Sequence, residues 1–169
     1  MSFLFHLIEQ YGLLIVFANV FVEQLGAPIP AYPTLVITGA MLGRGDLSAP
    51  LLLAVAIGSA LLADTIWYEA GKRYGGRVMS TLCRISISPD TCVRQTASVY
   101  ARWGAWSLLV AKFIPGFASL ASALAGMVGT PRRTFILFDG LGAALWAGSA
   151  IALGSIFSSG IDGLLIALA

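Results

Sequence analysis

Four ionisable side chains interrupt apolar runs of this chain, and any chemistry has to begin with them. Glu23 lies in Val20-Phe21-Val22-Glu23-Gln24-Leu25, directly ahead of a proline cluster. An acid placed in hydrocarbon is costly, so it faces a cavity, a partner or a proton path. The plainer reading is a glutamate at a helix end that reaches water. Lys112 stands three residues before Pro115. It either meets Glu23 or holds an anionic group, or else its apolar stem snorkels to the interface. Asp64 comes late in an apolar stretch and shares one helix face with Tyr68 and Gly71. Asp139 follows Arg132-Arg133 and reads as an acid near a helix start, favourable there without any function. Glu69 and Arg73, four apart, form an ordinary helix-surface ion pair in this reading.

Familiar catalytic chemistry has little to draw on. No HExxH, GxSxG or P-loop pattern occurs. His6 is the single histidine, so a phosphatase needing a histidine nucleophile and a second catalytic histidine cannot be built. An intramembrane acid–base enzyme using Glu23 and Asp64 stays open, but the expectation is a non-enzyme with no cofactor and no metal. Cys83 and Cys92 are too few for a disulfide scaffold and lack the partners of a zinc site. They are expected to remain free thiols in a reducing loop, and their spacing is no CxxC motif.

The elements that must position these groups follow from hydropathy. Among 169 residues, 58% are hydrophobic and only ten Lys or Arg and eight Asp or Glu occur. That is too little charge to cover a globular surface, to keep a chain disordered or to build a nucleic-acid face. The class is an all-α integral membrane protein. No Lys or Arg precedes the apolar residues of the first nine, so a secretory signal is not expected. Leu47–Gly71 and Thr134–Ser158 each satisfy the roughly 20 apolar residues a spanning helix needs. Tyr11–Gly43 and Trp103–Gly129 are long enough too, but are interrupted. Gly26, Pro28, Pro30 and Pro33 break the first, and Pro115-Gly116 the second. Proline removes a backbone donor and clashes with the preceding turn. Broken backbone at membrane depth persists where protein buries it or where it lines a wet cavity; kinked spanning helices are the alternative.

The two broken segments resemble each other. Gly39-Ala40-Met41-Leu42-Gly43 closes the first and Ala125-Gly126-Met127-Val128-Gly129 the second. Each passes through a short polar turn into a clean spanning helix. The pairs Gly39/Gly43 and Ala125/Gly129 are small-xxx-small patterns suited to close helix packing. Matched interruptions in two halves point to an internal repeat with a central site. The chain then reads as one domain over 1–169, with repeats 1–71 and 103–169 joined by a basic loop 72–102. Lys72, Arg73, Arg77, Arg84, Arg94 and Arg102 outweigh Asp90 in that loop, which the positive-inside rule places in the cytoplasm. Two re-entrant hairpins, each followed by a transmembrane helix, would then be inverted relative to each other, with Arg44 outside.

Phe21-Val22-Glu23-Gln24-Leu25-Gly26-Ala27-Pro28-Ile29-Pro30 resembles the first signature of the DedA membrane proteins, also called the SNARE-associated or VTT domain. Ala63-Asp64, Trp67-Tyr68 and Gly71-Lys72-Arg73-Tyr74-Gly75 resemble the second. Lys112-Phe113-Ile114-Pro115-Gly116 with Ala125-Gly126 resembles the third. The resemblance implies two re-entrant hairpins meeting within a bacterial inner membrane. It also implies lipid transport, of undecaprenyl phosphate or phospholipid, linked to the proton motive force. The chain departs from it twice. Ala31-Tyr32-Pro33-Thr34 stands where many members carry a further acid, and the arginines flanking the second break are replaced by Lys112 and Ala118.

The expected function is a lipid transporter in which Glu23 and Asp64 carry protons or sodium and Lys112 attracts the phosphate. A proton- or sodium-coupled small-solute transporter and a non-transporting membrane scaffold are the alternatives. The expected partner is an anionic membrane lipid, and no nucleic acid is expected. A homo-oligomer is open, as is a soluble domain attached after Ala169.

Overall fold

The computed structural model describes residues 2–44, 47–84, 87–114 and 116–168. Pro115, and Gly45-Asp46 of the first polar turn, lie outside them. Every regular element among the described residues is helical. In order they are α1 (Ser2–Gln24), α2 (Tyr32–Met41), α3 (Ala49–Tyr74), α4 (Gly76–Cys83), α5 (Pro89–Trp103), α6 (Ser107–Ala111), α7 (Phe117–Met127) and α8 (Arg132–Leu168).

Two helices among the described residues are long and apolar enough to cross a bilayer, Ala49–Tyr74 and Arg132–Gly160. The second contains the expected Thr134–Ser158; the first begins at Ala49, two residues inside the expected Leu47–Gly71, and runs on to Tyr74. The interrupted segments do break. α1 stops at Gln24, and Gly26 turns the chain with φ +108 ahead of Pro28 and Pro30. Pro33 departs from its expected role. It sits in the first turn of α2, where a missing N–H forfeits no helical bond, so it starts the helix instead of breaking it. In the second half α6 ends at Ala111, and Gly116, with φ +78, precedes α7. With ten and eleven residues, α2 and α7 are each about 15 Å long, half of a hydrocarbon core of about 30 Å.

The short helices are exchanged between the long ones. α2 packs along α8 and α7 along α3, while α1 lies on α3 and α6 on α8. Two apolar cores result. Val16, Val20, Leu35, Leu52 and Trp146 centre the first; Tyr68, Met79, Leu108, Leu124 and Phe135 centre the second.

Close approach, not bulk, shapes both short-on-long contacts. A Cβ on Gly126 would overlap the Tyr68 carbonyl, and one on Gly154 the Val36 carbonyl. Gly39 has the same constraint, its Cβ position lying 2.5 Å from the Ile151 carbonyl oxygen, and Ala125 is fully buried. The other two small residues do not fit the packing role expected of them. A Cβ on Gly43 would meet only the Ser158 hydroxyl at 3.6 Å, and one on Gly129 would meet nothing within 4 Å. Gly129 instead supplies the positive φ of +80 that the turn after α7 requires.

The segment expected as a loop over 72–102 is a helix pair. α3 continues to Tyr74, and α4 and α5 bury Met79, Cys83, Thr96 and Tyr100 on the inner side of the pair. Cys83 and Cys92 are disulfide-bonded, with Cα atoms 5.8 Å apart. In this structure the two thiols expected from the sequence are thus joined. The hairpin closes a distance that spacing along the chain does not reveal.

Candidate functional site

Polar atoms inside an apolar bundle require partners, and the structure gathers three charges from three helices. Asp64 lies on the buried stripe of α3 that includes Ala56, Ala60, Tyr68 and Gly71. Lys112 caps α6 at its C-terminal end, where the second break begins. Asp139 projects from the stripe of α8 that also buries Phe135, Ala143 and Ala147. Lys112 pairs with Asp64 and, at 3.0 Å, with Asp139, and its side chain is fully buried. Among the described residues Asp64 Oδ1 and Asp139 Oδ2 have no hydrogen-bond partner, and neither has the buried Ser122 hydroxyl.

Asp139 is therefore no helix-start acid. It stands two turns into α8, beyond the reach of the terminal dipole. Its spacing from Phe135, Ala143 and Ala147 carried the signal: every fourth residue on that face is apolar or small, and the acid shares their side. Glu69 also differs from expectation. It pairs with Arg132 at the start of α8, not with Arg73. Tyr68, on the same helix face as Asp64, is buried, and its hydroxyl donates to the Thr130 carbonyl at 2.5 Å. The Tyr100 hydroxyl meets the Thr130 side chain at the same distance. Burial pushes the Tyr100 phenol above its ordinary value, so this pin stays uncharged in the physiological range. These contacts hold the α7–α8 turn to the end of α3 and to α5.

Glu23 is placed apart from the cluster. It lines a cavity of about 420 Å³ with Gly26, Pro28, Ile29 and Pro30 of the first break and Gly116 of the second. The two breaks thus meet at one space. Among the described residues the ion pairs of Lys112 go to Asp64 and Asp139, not to Glu23. Glu23 Oε2 is buried without a hydrogen-bond partner among the described residues. Beside it Gln24 is buried with its Oε1 unpaired, a residue that sequence reasoning passed over. Enclosed by two carboxylates, Lys112 presents no free charge to a phosphate in this conformation.

The sequence pattern of the VTT domain matches residues 29–156 of this chain. The chain belongs to the VTT-domain, or DedA, family. The match takes in Pro30, Asp64, Lys112 and Asp139, so the buried cluster lies inside the shared domain. Among curated relatives of this VTT domain, an uncharacterised membrane protein of Synechocystis is 29% identical over 147 residues, covering 87% of this chain and 67% of the relative. The uncharacterised membrane protein YbfM of Bacillus subtilis is 24% identical over 150 residues, 89% of this chain and 93% of its own. Protein DedA of Escherichia coli K12 is 26% identical over 148 residues, 83% of this chain and 67% of its own. No solved structure matches the chain. This VTT domain is a membrane protein.

Proposed function

We propose that the chain transports a phosphate-bearing lipid, a polyprenyl phosphate or a phospholipid, across a bacterial inner membrane, with the proton motive force as driver. One observation carries the reading: a single cavity lined by both chain breaks and by Glu23, with Pro28, Ile29 and Pro30 exposed at its rim. An apolar, outward-facing rim suits a substrate whose chains stay in the bilayer while its headgroup passes inside. A small solute would call for a path enclosed by protein.

Both breaks belong, in this reading, to re-entrant hairpins related by inversion. α2 and α7 are too short to cross, and their contacts repeat in register. The Ala40–Gly154 approach and the Gly126–Tyr68 approach are related by one offset, since residue 126 lies 86 after residue 40 and residue 154 lies 86 after residue 68. Discontinuous helices of this kind place free backbone donors and acceptors at the substrate.

Asp64, Lys112 and Asp139 supply the coupling. Two carboxylates around one ammonium leave the cluster one positive charge short, and an uncompensated charge in a low-dielectric interior is expensive. One added proton or sodium ion at the unpaired Asp64 or Asp139 oxygen balances it. Taking up and giving back that one charge, with Glu23 at the cavity, links ion movement to the headgroup. The chemistry involves no covalent step, so the protein acts without being an enzyme.

Reconstituted protein and dithionite quenching of head-labelled lipids test the reading. Faster loss of inner-leaflet fluorescence than in protein-free vesicles is expected for at least one phosphate lipid. Protein-free rates across anionic and zwitterionic lipids alike would contradict it.

A further inference from the structure

A second recess flanks the same break and belongs to no part of the site described so far. It is a groove of about 760 Å³ running along α5 to the first turn of α7. Val99, Phe117 and Leu120 give it apolar surface, and Arg94, Gln95 and Ser98 give it polar surface. No acid is among its lining residues. Asp90 lies one turn before Arg94 on α5, yet Arg94 makes no ion pair among the described residues. Phe117 follows Gly116 directly, and Gly116 lines the cavity that holds Glu23. Groove and cavity therefore adjoin at consecutive residues of one chain break.

We propose that this groove binds one phosphate-bearing lipid, with the phosphate on Arg94 and an apolar chain over Phe117 and Leu120. Charge complementarity selects the headgroup. An exposed guanidinium with no carboxylate partner among the described residues offers the planar fork that pairs with phosphate oxygens, which the enclosed Lys112 cannot offer. The apolar surface selects an amphiphile over a free anion, and the volume falls within the range of roughly 300–1,000 Å³ typical of small-molecule sites. The choice of a lipid rests on the transport reading above. The groove adds to it a place where the headgroup is captured beside the break before it reaches the Glu23 cavity.

Native mass spectrometry of the detergent-purified full chain tests binding without asking for transport. Phosphatidic acid, phosphatidylcholine and inorganic phosphate are the probes. Saturable retention of one phosphatidic acid is expected. Arg94→Ala should weaken it about tenfold or more, the loss of a charge-assisted contact, and Arg94→Lys should restore part. Leu120→Trp, which fills the groove from the α7 side, should weaken it as well, whereas Arg102→Ala, on α5 but outside the groove, should not. Undiminished retention in both Arg94→Ala and Leu120→Trp would overturn the proposal, as would inorganic phosphate binding as tightly as the lipid. A chain that retains phosphatidic acid through Arg94 and yet moves no lipid overturns the transport reading alone.

Discussion

Lys112 touches two acids and can neutralise only one of them, and this asymmetry orders the effects of substitution. Asp64→Asn leaves Lys112 paired with Asp139 at 3.0 Å, a neutral pair. Lys112→Ala leaves two buried carboxylates with no cation between them, and breaking a buried pair in this way costs about 3–5 kcal/mol. Thermal unfolding followed by size-exclusion fluorescence should rank Lys112→Ala far below wild type and Asp64→Asn close to it. Equal losses for the two would deny that charge balance holds the cluster together. Glu23, Asp64 and Lys112 were legible in the sequence because each interrupts an apolar run. Their partnership was not. Asp64 and Lys112 are 48 residues apart, and which acid reaches Lys112 is decided by how α3, α6 and α8 pack. Asp139 was masked by its nearness to Arg132-Arg133, which offered a local account of a residue whose surroundings are tertiary.

The helices record the same division between local and tertiary information. Pro28 and Pro30 announced the first break because proline acts on its own backbone. Pro33 misled because its effect depends on where the next helix begins. The glycines at close approach were only half legible. Gly39 lies in an evident small-residue pattern, whereas Gly126 and Gly154 matter because a carbonyl of another helix lies where a Cβ would stand. Gly126→Ala and Gly154→Ala should each lose about 1–3 kcal/mol through overpacking. Gly58→Ala, facing open space on the exposed side of α3, should be neutral or slightly stabilising. Unfolding midpoints of the three variants measure this, and a tolerated Gly126→Ala would mean that α7 does not rest on α3 as described. The α4–α5 pair escaped hydropathy altogether. Its charged residues resemble a loop, and the inward positions of Met79, Cys83, Thr96 and Tyr100 emerge only once a helical period is applied.

Orientation in the membrane brings two observations into opposition. The basic residues of the α4–α5 pair favour the cytoplasmic side, whereas a bond between Cys83 and Cys92 persists in oxidising compartments. Charge bias governs insertion, so the pair is expected to face the cytoplasm and to be reduced in cells, closing on exposure to oxidant. Rapid acid quenching of cells, denaturation and alkylation should therefore find two free thiols per chain. A fully protected pair would put the hairpin on the oxidising side and reverse the topology. Either way, the two breaks share the cavity that Glu23 lines, and on that the transport reading stands. Lipid translocation by Glu23→Gln in proteoliposomes, at matched protein content and with folding checked by size exclusion, tests it most directly. The substitution removes the ionisable group and almost no volume. A folded variant whose quenching rate falls to that of protein-free vesicles is the expected result; a folded variant that moves lipid at the wild-type rate would contradict the account.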